Sequence, residues 1–442
     1  MKIKHLNIHY TFWGVICFFP AFKWTSGGTA LGQKLLHLTC FGLFTCLIIA
    51  KMAYMLTSES RLQNETRNKH IVFSILCFAA MSCYAMFVLV FIAPLPSLSG
   101  LSDIARPFVY SLYFLIPLIF PLKNDDLQKI MSFLFLLAIF QILFSGLVYV
   151  EGAWPLVDLF KGRMSNDEII YHFFRWSGTF VYPSDFTFFL SFLVYYCFYK
   201  VSFGCSKKEK FRFTAFLLIL LLAMVMSLSR GGIASIVFMM GLFYLISKAK
   251  RSVYVNLWIF LITTVLISSF IFLMDSEYAE QLNIEYILAS FDSKGPDAST
   301  LHRIIEFQLA IDYSTQYFPF GVGGHRETLA NQVGVIESYY GHNLIRGGWI
   351  GLLFSLFFIL YIIINARLML KCTSDIKLRA FLWSAILVIA SVPLIFGFSS
   401  AMSDRFKCLP FYYLICGYVI MVATNKELNR YQTSAIFCKK LP

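Results

Sequence analysis

The chain has 442 residues, of which 58% are hydrophobic and only 14% charged, whereas a soluble domain carries roughly 25% charged residues. The apolar residues come in long blocks, too continuous for alternating barrel strands, which excludes a soluble globule and a β-barrel and leaves a polytopic helical membrane protein. The net charge of +13 would suit nucleic acid, but no basic face with interleaved aromatics lies outside the apolar blocks, so no nucleic-acid partner is expected.

Taken in chain order, hydropathy predicts twelve spans, at about 10–22, 35–56, 71–93, 104–122, 130–150, 180–200, 211–228, 232–247, 252–274, 345–366, 378–398 and 408–424. The expected fold class is therefore all-α and polytopic, with about 12 transmembrane helices and one large outer loop, about 275–344, between spans nine and ten. Four regions follow: an N-terminal membrane bundle over 1–150, a second bundle over 151–274, the loop over 275–344, and a C-terminal bundle over 345–442. With both termini cytoplasmic, 24 of the 37 Lys and Arg fall on the inner side and 17 of the 24 acids on the outer side, as the positive-inside rule requires. Lys207, Lys208, Lys210 and Arg212 form one inner cluster and Lys248, Lys250 and Arg251 the next. Such clusters also attract anionic lipid. The 11 cysteines show no CxxC spacing, so neither a metal site nor a disulfide framework is indicated.

Certain residues stand out against this background. Arg175 precedes WSGTFVYP at the start of span six, where an ordinary interfacial Arg-Trp pair is the simplest alternative. Arg230 lies in SLSRGG, Ser227 to Gly232, between two spans that leave almost no loop, so it belongs at the outer membrane boundary; the alternative role is a snorkelling anchor. In the long loop, 290–300 reads as a turn, and Ser299 is placed to cap a helix from Thr300 to about Tyr317. On that helix His302, Arg303 and Glu306 share one surface. Pro319 ends it, and FGVGG, Phe320 to Gly324, follows as a flexible turn. His342, with Asn343, stands at the mouth of the next span and is the best general-base candidate, since imidazole titrates near neutrality. Arg346 lies one turn on. His302, His325 and His342 with Glu306 and Glu337 lack HExxH-type spacing, so no metal is expected. Several arginines at an outer membrane mouth point to an anionic ligand, because guanidinium is always charged and grips phosphate bidentately. A lipid-linked diphosphate presented at the outer leaflet would meet them there.

Three stretches in order, RWSGTFVYP, SLSRGG, and the block from Arg303 through FGVGG to GHNLIRGGWIGLLF, resemble the motifs of the O-antigen polymerase and O-antigen ligase superfamily of Gram-negative inner membranes. The resemblance covers roughly 170–370. It departs in two places: Pro183 is followed by Ser184 and Asp185 where the family has Asn, and Phe307 stands where it often has Trp. The resemblance implies an inner-membrane, metal-independent, inverting glycosyltransferase whose active loop is periplasmic and whose donor is an undecaprenyl-diphosphate-linked oligosaccharide. It implies no cofactor. Carried over, Arg230 and Arg303 would hold the diphosphate and His342 would take the acceptor's proton, making these the catalytic set. Arg175, Arg346, Asn343 and Glu306 would serve substrate binding, the last two as partners of the catalytic groups. Membrane lipids, and a chain-length regulator, are the other expected partners. Polymerase is favoured over ligase on the Phe and Tyr richness and the degenerate motifs. A lipid-linked oligosaccharide transporter is the rival from another class, against which the absence of internal repeats counts.

Overall fold

The structure is a computed structural model and describes residues 5–20, 30–57, 65–92, 101–161, 175–204, 206–246, 298–322, 338–397 and 407–424. Among the described residues all regular structure is helical. The helices are α1 (His5–Phe18), α2 (Ala30–Thr57), α3 (Glu65–Phe87), α4 (Leu101–Ile119), α5 (Asn124–Gly146), α6 (Trp154–Lys161), α7 (Pro183–Phe203), α8 (Lys207–Met226), α9 (Arg230–Ile246), α10 (Ala298–Gln316), α11 (Tyr339–Cys372), α12 (Ile376–Ser391) and α13 (Cys408–Ala423). Helices stand at eleven of the twelve predicted spans; the ninth, 252–274, lies outside the described residues. Among the described residues, six helical stretches are long and apolar enough to cross a membrane, and three shorter apolar helices accompany them. The chain is a multi-pass membrane protein.

α7 sits at the centre. A helix apolar on every side is a buried helix, and Phe186, Phe188, Phe189, Phe192 and Phe198 leave no solvent-facing stripe on it. It packs on α8, α9, α12 and α13. Its rings meet neighbours edge-on, Phe188 against Phe396 at 5.1 Å and Phe192 against Phe381 at 6.0 Å between centroids, the arrangement that aromatic quadrupoles prefer. Lipid tails are as apolar as Phe, so this fit, and not expulsion of water, holds the helices together. Outward faces carry bare apolar side chains, such as Leu76 on α3 and Phe357 and Leu360 on α11.

α1 begins five residues earlier than predicted, because its polar residues are satisfied internally. Trp13 Nε1 donates to Tyr418 Oη at 3.1 Å, Tyr418 Oη meets His9 Nδ1 at 2.8 Å, and His9 Nε2 reaches the Phe120 carbonyl at 2.8 Å. This relay assigns the Nε2–H tautomer to His9, and no buried group in it lacks a partner.

α10 begins at Ala298, with Ser299 inside it and not capping it. α11 is not one rod. Gly348 breaks it at φ 60° and ψ −159°, giving a short leading segment, 339–347, and a trailing one, 349–372. At 1.5 Å per residue the trailing part alone is about 36 Å long, enough for a bilayer core of about 30 Å. The leading segment, which holds His342, is therefore surplus to the crossing.

Candidate functional site

RWSGTFVYP forms a junction between four elements. Gly178 takes φ +56°, and a Cβ there would stand 2.3 Å from Gln141 Oε1, so only glycine lets α5 approach. The gain from that approach is two hydrogen bonds: Gly178 N–H to Ser145 Oγ at 2.7 Å and Thr179 N–H to Gln141 Oε1 at 2.6 Å. The Thr179 hydroxyl donates to the Cys17 carbonyl at the end of α1. Lys407, at the turn before α13, is 0% exposed. Its Nζ donates to the carbonyls of Thr179 at 2.7 Å and Cys17 at 3.1 Å, and it faces the rings of Phe160 and Phe180 at 5.7 and 5.9 Å. Burial pulls its ammonium down to a pKa of about 7.

The same motif grips SLSRGG. Trp176 N–H donates to the Met226 carbonyl at 3.3 Å. Arg175 Nε donates to the Ser227 carbonyl at 3.0 Å, and its Nη2 to the Leu228 carbonyl. Leu228 has φ 50°, so the turn is tight, and Ser229 Oγ accepts from Gly232 N–H at 3.3 Å. Gly232 packs on Thr187 of α7. Arg230 is then the first residue of α9, where unpaired N–H groups and the helix dipole already favour an anion. Arg175, expected to touch substrate, has these donors engaged with the turn before Arg230.

The loop helix α10 docks on the start of α11. Its apolar face, Ala310 with Leu309 and Tyr313, closes with Val322 over Ile345. FGVGG was expected to be a flexible turn; its described part, 320–322, is instead fixed in place. Val322 N–H donates to the Ile345 carbonyl at 2.7 Å. Tyr84 of α3 donates to the Gly347 carbonyl at 2.7 Å, with the Phe320 carbonyl at 3.3 Å. Gly321 and Gly348 face each other backbone to backbone: a Cβ on Gly348 would lie 2.2 Å from Pro319 O and 2.5 Å from Gly321 N. The break exposes carbonyls that would be costly in hydrocarbon, and the turn and Tyr84 satisfy them.

Of the predicted site residues on these elements, Arg303 lies early on α10 and Glu306, 0% exposed, one turn later. His342 is 6% exposed in the first turn of α11, which Ser338 caps by accepting from Gly341 N–H at 3.2 Å. Arg346 is half-buried one turn beyond. Asn343 has its side chain engaged within α11. Its amide donates to the Tyr339 carbonyl at 2.8 Å and accepts from Ser355 at 3.2 Å, bracing the two parts of α11 across the break. His325 and Glu337 lie outside the described residues.

The two halves of the site share a wall. α9 packs on the π-turn Val392–Phe396 that ends α12, and the start of α11 is tied there by Tyr340 Oη to the Pro393 carbonyl at 2.5 Å and Ser338 Oγ to the Gly397 carbonyl at 3.2 Å. Arg175, Arg230, His342 and Arg346 thus gather at one end of the bundle, with the start of α13. Residues 215–345 match the family model described as O-antigen ligase. This match supports the O-antigen ligase and polymerase superfamily as the one the chain resembles. The match opens within α8 and closes at Ile345, so it takes in SLSRGG, α10, the docked turn and His342, and leaves RWSGTFVYP outside. No curated protein matches the chain.

Sequence reasoning missed Lys407, which reads as one more loop charge in SDRFK. It also passed over Asp185, which lies 1% exposed in the first turn of α7. Nothing in their spacing marks either; a charge bracketed by an apolar span was the only available signal.

Proposed function

We propose that this protein is a polysaccharide repeat-unit polymerase. It transfers undecaprenyl-diphosphate-linked glycan to the non-reducing end of another lipid-linked repeat. The reading places it in a Gram-negative inner membrane with twelve crossings, both termini cytoplasmic and the 275–344 loop periplasmic. Family members are glycosyltransferase-like enzymes acting on lipid-linked glycans. The observation that supports the reading is that α9, which begins at Arg230, packs on the turn ending α12, and the start of α11, which holds His342, is bonded to the same turn. An anion-favouring helix end and an imidazole on one shared wall are what diphosphate departure with hydroxyl activation would use.

In this mechanism the acceptor hydroxyl attacks the anomeric carbon, and its proton passes to His342. The bond from that carbon to the diphosphate oxygen breaks, and the diphosphate leaves with the electron pair, inverting the centre. Arg230 and Arg303 offset the charge that grows on the leaving oxygen, a preorganised stabilisation that needs no metal. Arg346 contacts donor or glycan, and Glu306 supports the set from α10. Arg175 acts at one remove, by fixing the turn from which Arg230 springs.

A ligase that moves the finished glycan to lipid A-core is the second reading, favoured by the description of the matched family model. Surface lipopolysaccharide from a deletion strain, resolved by gel, separates the two. A single repeat on core with the ladder gone supports polymerase. Core without any repeat, with lipid-linked polymer accumulating, supports ligase. An unchanged ladder removes both.

A further inference from the structure

At the opposite end of the bundle lies an open cavity of about 510 Å³, lined by the starts of α5, α8 and α12 and the end of α7. Lys200, Lys208, Arg212 and Lys377 line it, against the single lining carboxylate of Glu209. Lys200 is 2% exposed and pairs with Glu209 at 2.5 Å. Among the described residues, Lys208, Arg212 and Lys377 have no ion pair, and Asp375 caps α12 by accepting from Lys377 N–H at 2.9 Å. Arg379, nearby, is already committed to the carbonyls of Leu370 and Thr373 and the hydroxyl of Tyr199.

Two features set this apart from an ordinary basic loop. A topology signal asks for positive charge in the loop, not for cations on the walls of one cavity. Moreover, Lys208 stands at the start of α8 and Lys377 at the start of α12, where the helix dipole disfavours cations and favours an anion. A bound anion would reverse both penalties. The volume falls within the range of about 300–1,000 Å³ typical of small-ligand sites. Met131, Phe135 and Phe213 complete the wall. Adjacent in sequence to the lining residues Arg212 and Phe135, α8 presents Phe211 at 78% exposure and α5 presents Leu136 at 62%, apolar side chains for an acyl chain to follow.

We infer that this cavity binds the phosphate head group of an anionic membrane phospholipid, its acyl chains lying along α5 and α8. The shared chemistry is a phosphate, and the apolar approach selects the lipid over the free ion. The test uses the full-length chain in neutral detergent, titrated with short-chain phosphatidylglycerol, short-chain phosphatidylcholine and inorganic phosphate, and read by native mass spectrometry. One phosphatidylglycerol retained per chain, with phosphatidylcholine not retained, is expected. The triple variant Lys208→Gln, Arg212→Gln, Lys377→Gln changes only exposed side chains and so keeps the fold. It should weaken retention about 100-fold, since each cation near an anionic head group is worth about fivefold. Lys207→Gln with Lys210→Gln, equally exposed but not lining the cavity, should change it little. Equal retention of phosphatidylcholine, or equal loss in the control pair, overturns the site. Competition by millimolar inorganic phosphate overturns the assignment to lipid.

Discussion

Gly348→Ala tests whether the break in α11 and the docked turn form one unit. The new Cβ would meet Pro319 O at 2.2 Å and both Gly321 N and Phe320 C at 2.5 Å. These are backbone atoms, which cannot swing aside as a side chain would. A non-glycine residue at φ 60° and ψ −159° costs about 1–3 kcal/mol. Displacing packed atoms adds about 1–3 kcal/mol more. The hydrogen bonds holding the turn, from Val322 N–H and Tyr84 Oη, contribute about 0.5–1.5 kcal/mol each. The strain matches or exceeds them, so the turn should lift off while the bundle stays folded. Hydrogen exchange on the full-length protein should then show protection at Gly321 and Val322 reduced at least about 30-fold, the equivalent of about 2 kcal/mol. Protection in α7 should be unchanged, and the surface glycan ladder should be lost. Gly351→Ala is the control: its Cβ would meet only Asn343 O, at 3.7 Å, and the ladder should persist. Wild-type exchange at 321–322 in Gly348→Ala would refute the coupling.

Further outcomes follow from the site. Arg230→Lys keeps the charge but not the bidentate fork, so turnover with lipid-linked repeats in vitro should fall only partly. Arg303→Ala and His342→Ala should each lose about 100–1,000-fold, and full activity in Arg230→Lys would reduce that residue to a membrane anchor. Turnover should survive EDTA; loss on chelation with recovery on adding a divalent ion would replace the arginine mechanism with a metal one. Burial pulls the Lys407 ammonium, outside the helix it precedes, down to about 7, against about 10.4 for an unburied lysine. Between these values the unfolded chain holds the proton that the folded chain has released, so stability should rise with pH across this window, by up to about 1.4 kcal/mol per unit. Melting curves of wild type and Lys407→Met from pH 6.5 to 9.5 should therefore diverge in slope; parallel curves would remove Lys407 as the titrating group.

Hydropathy located the helices because twenty apolar residues in a row leave the backbone no other way to satisfy itself. It misplaced α1 because His5 and His9 look like boundary residues until Phe120, Pro121 and Tyr418 are brought up to them. It could not see the break in α11, since GGWIGLLF is apolar on both sides of Gly348 and only the approach of the Pro319–Val322 turn demands the kink. The motif arginines and His342 were legible as expensive or reactive groups near a membrane mouth. The partners of Arg175 and Asn343 were not, because the carbonyls and the hydroxyl they meet are brought to them only by the fold. Lys407 was invisible for a related reason: its partners come from residues 17 and 179, distant in sequence.

Tyr84 brings the N-terminal helices into this arrangement. Its ring stands on α3, in a third of the chain that carries no signature motif, yet its hydroxyl proton is shared between the carbonyls of Gly347 and Phe320. Elsewhere on α3, exposed positions such as Phe73 and Leu76 face lipid and are free to drift among apolar residues. Position 84 is not: phenylalanine there would preserve every packing contact and remove one proton. A helix without a signature motif thus supplies one atom on which the shape of a distant helix depends.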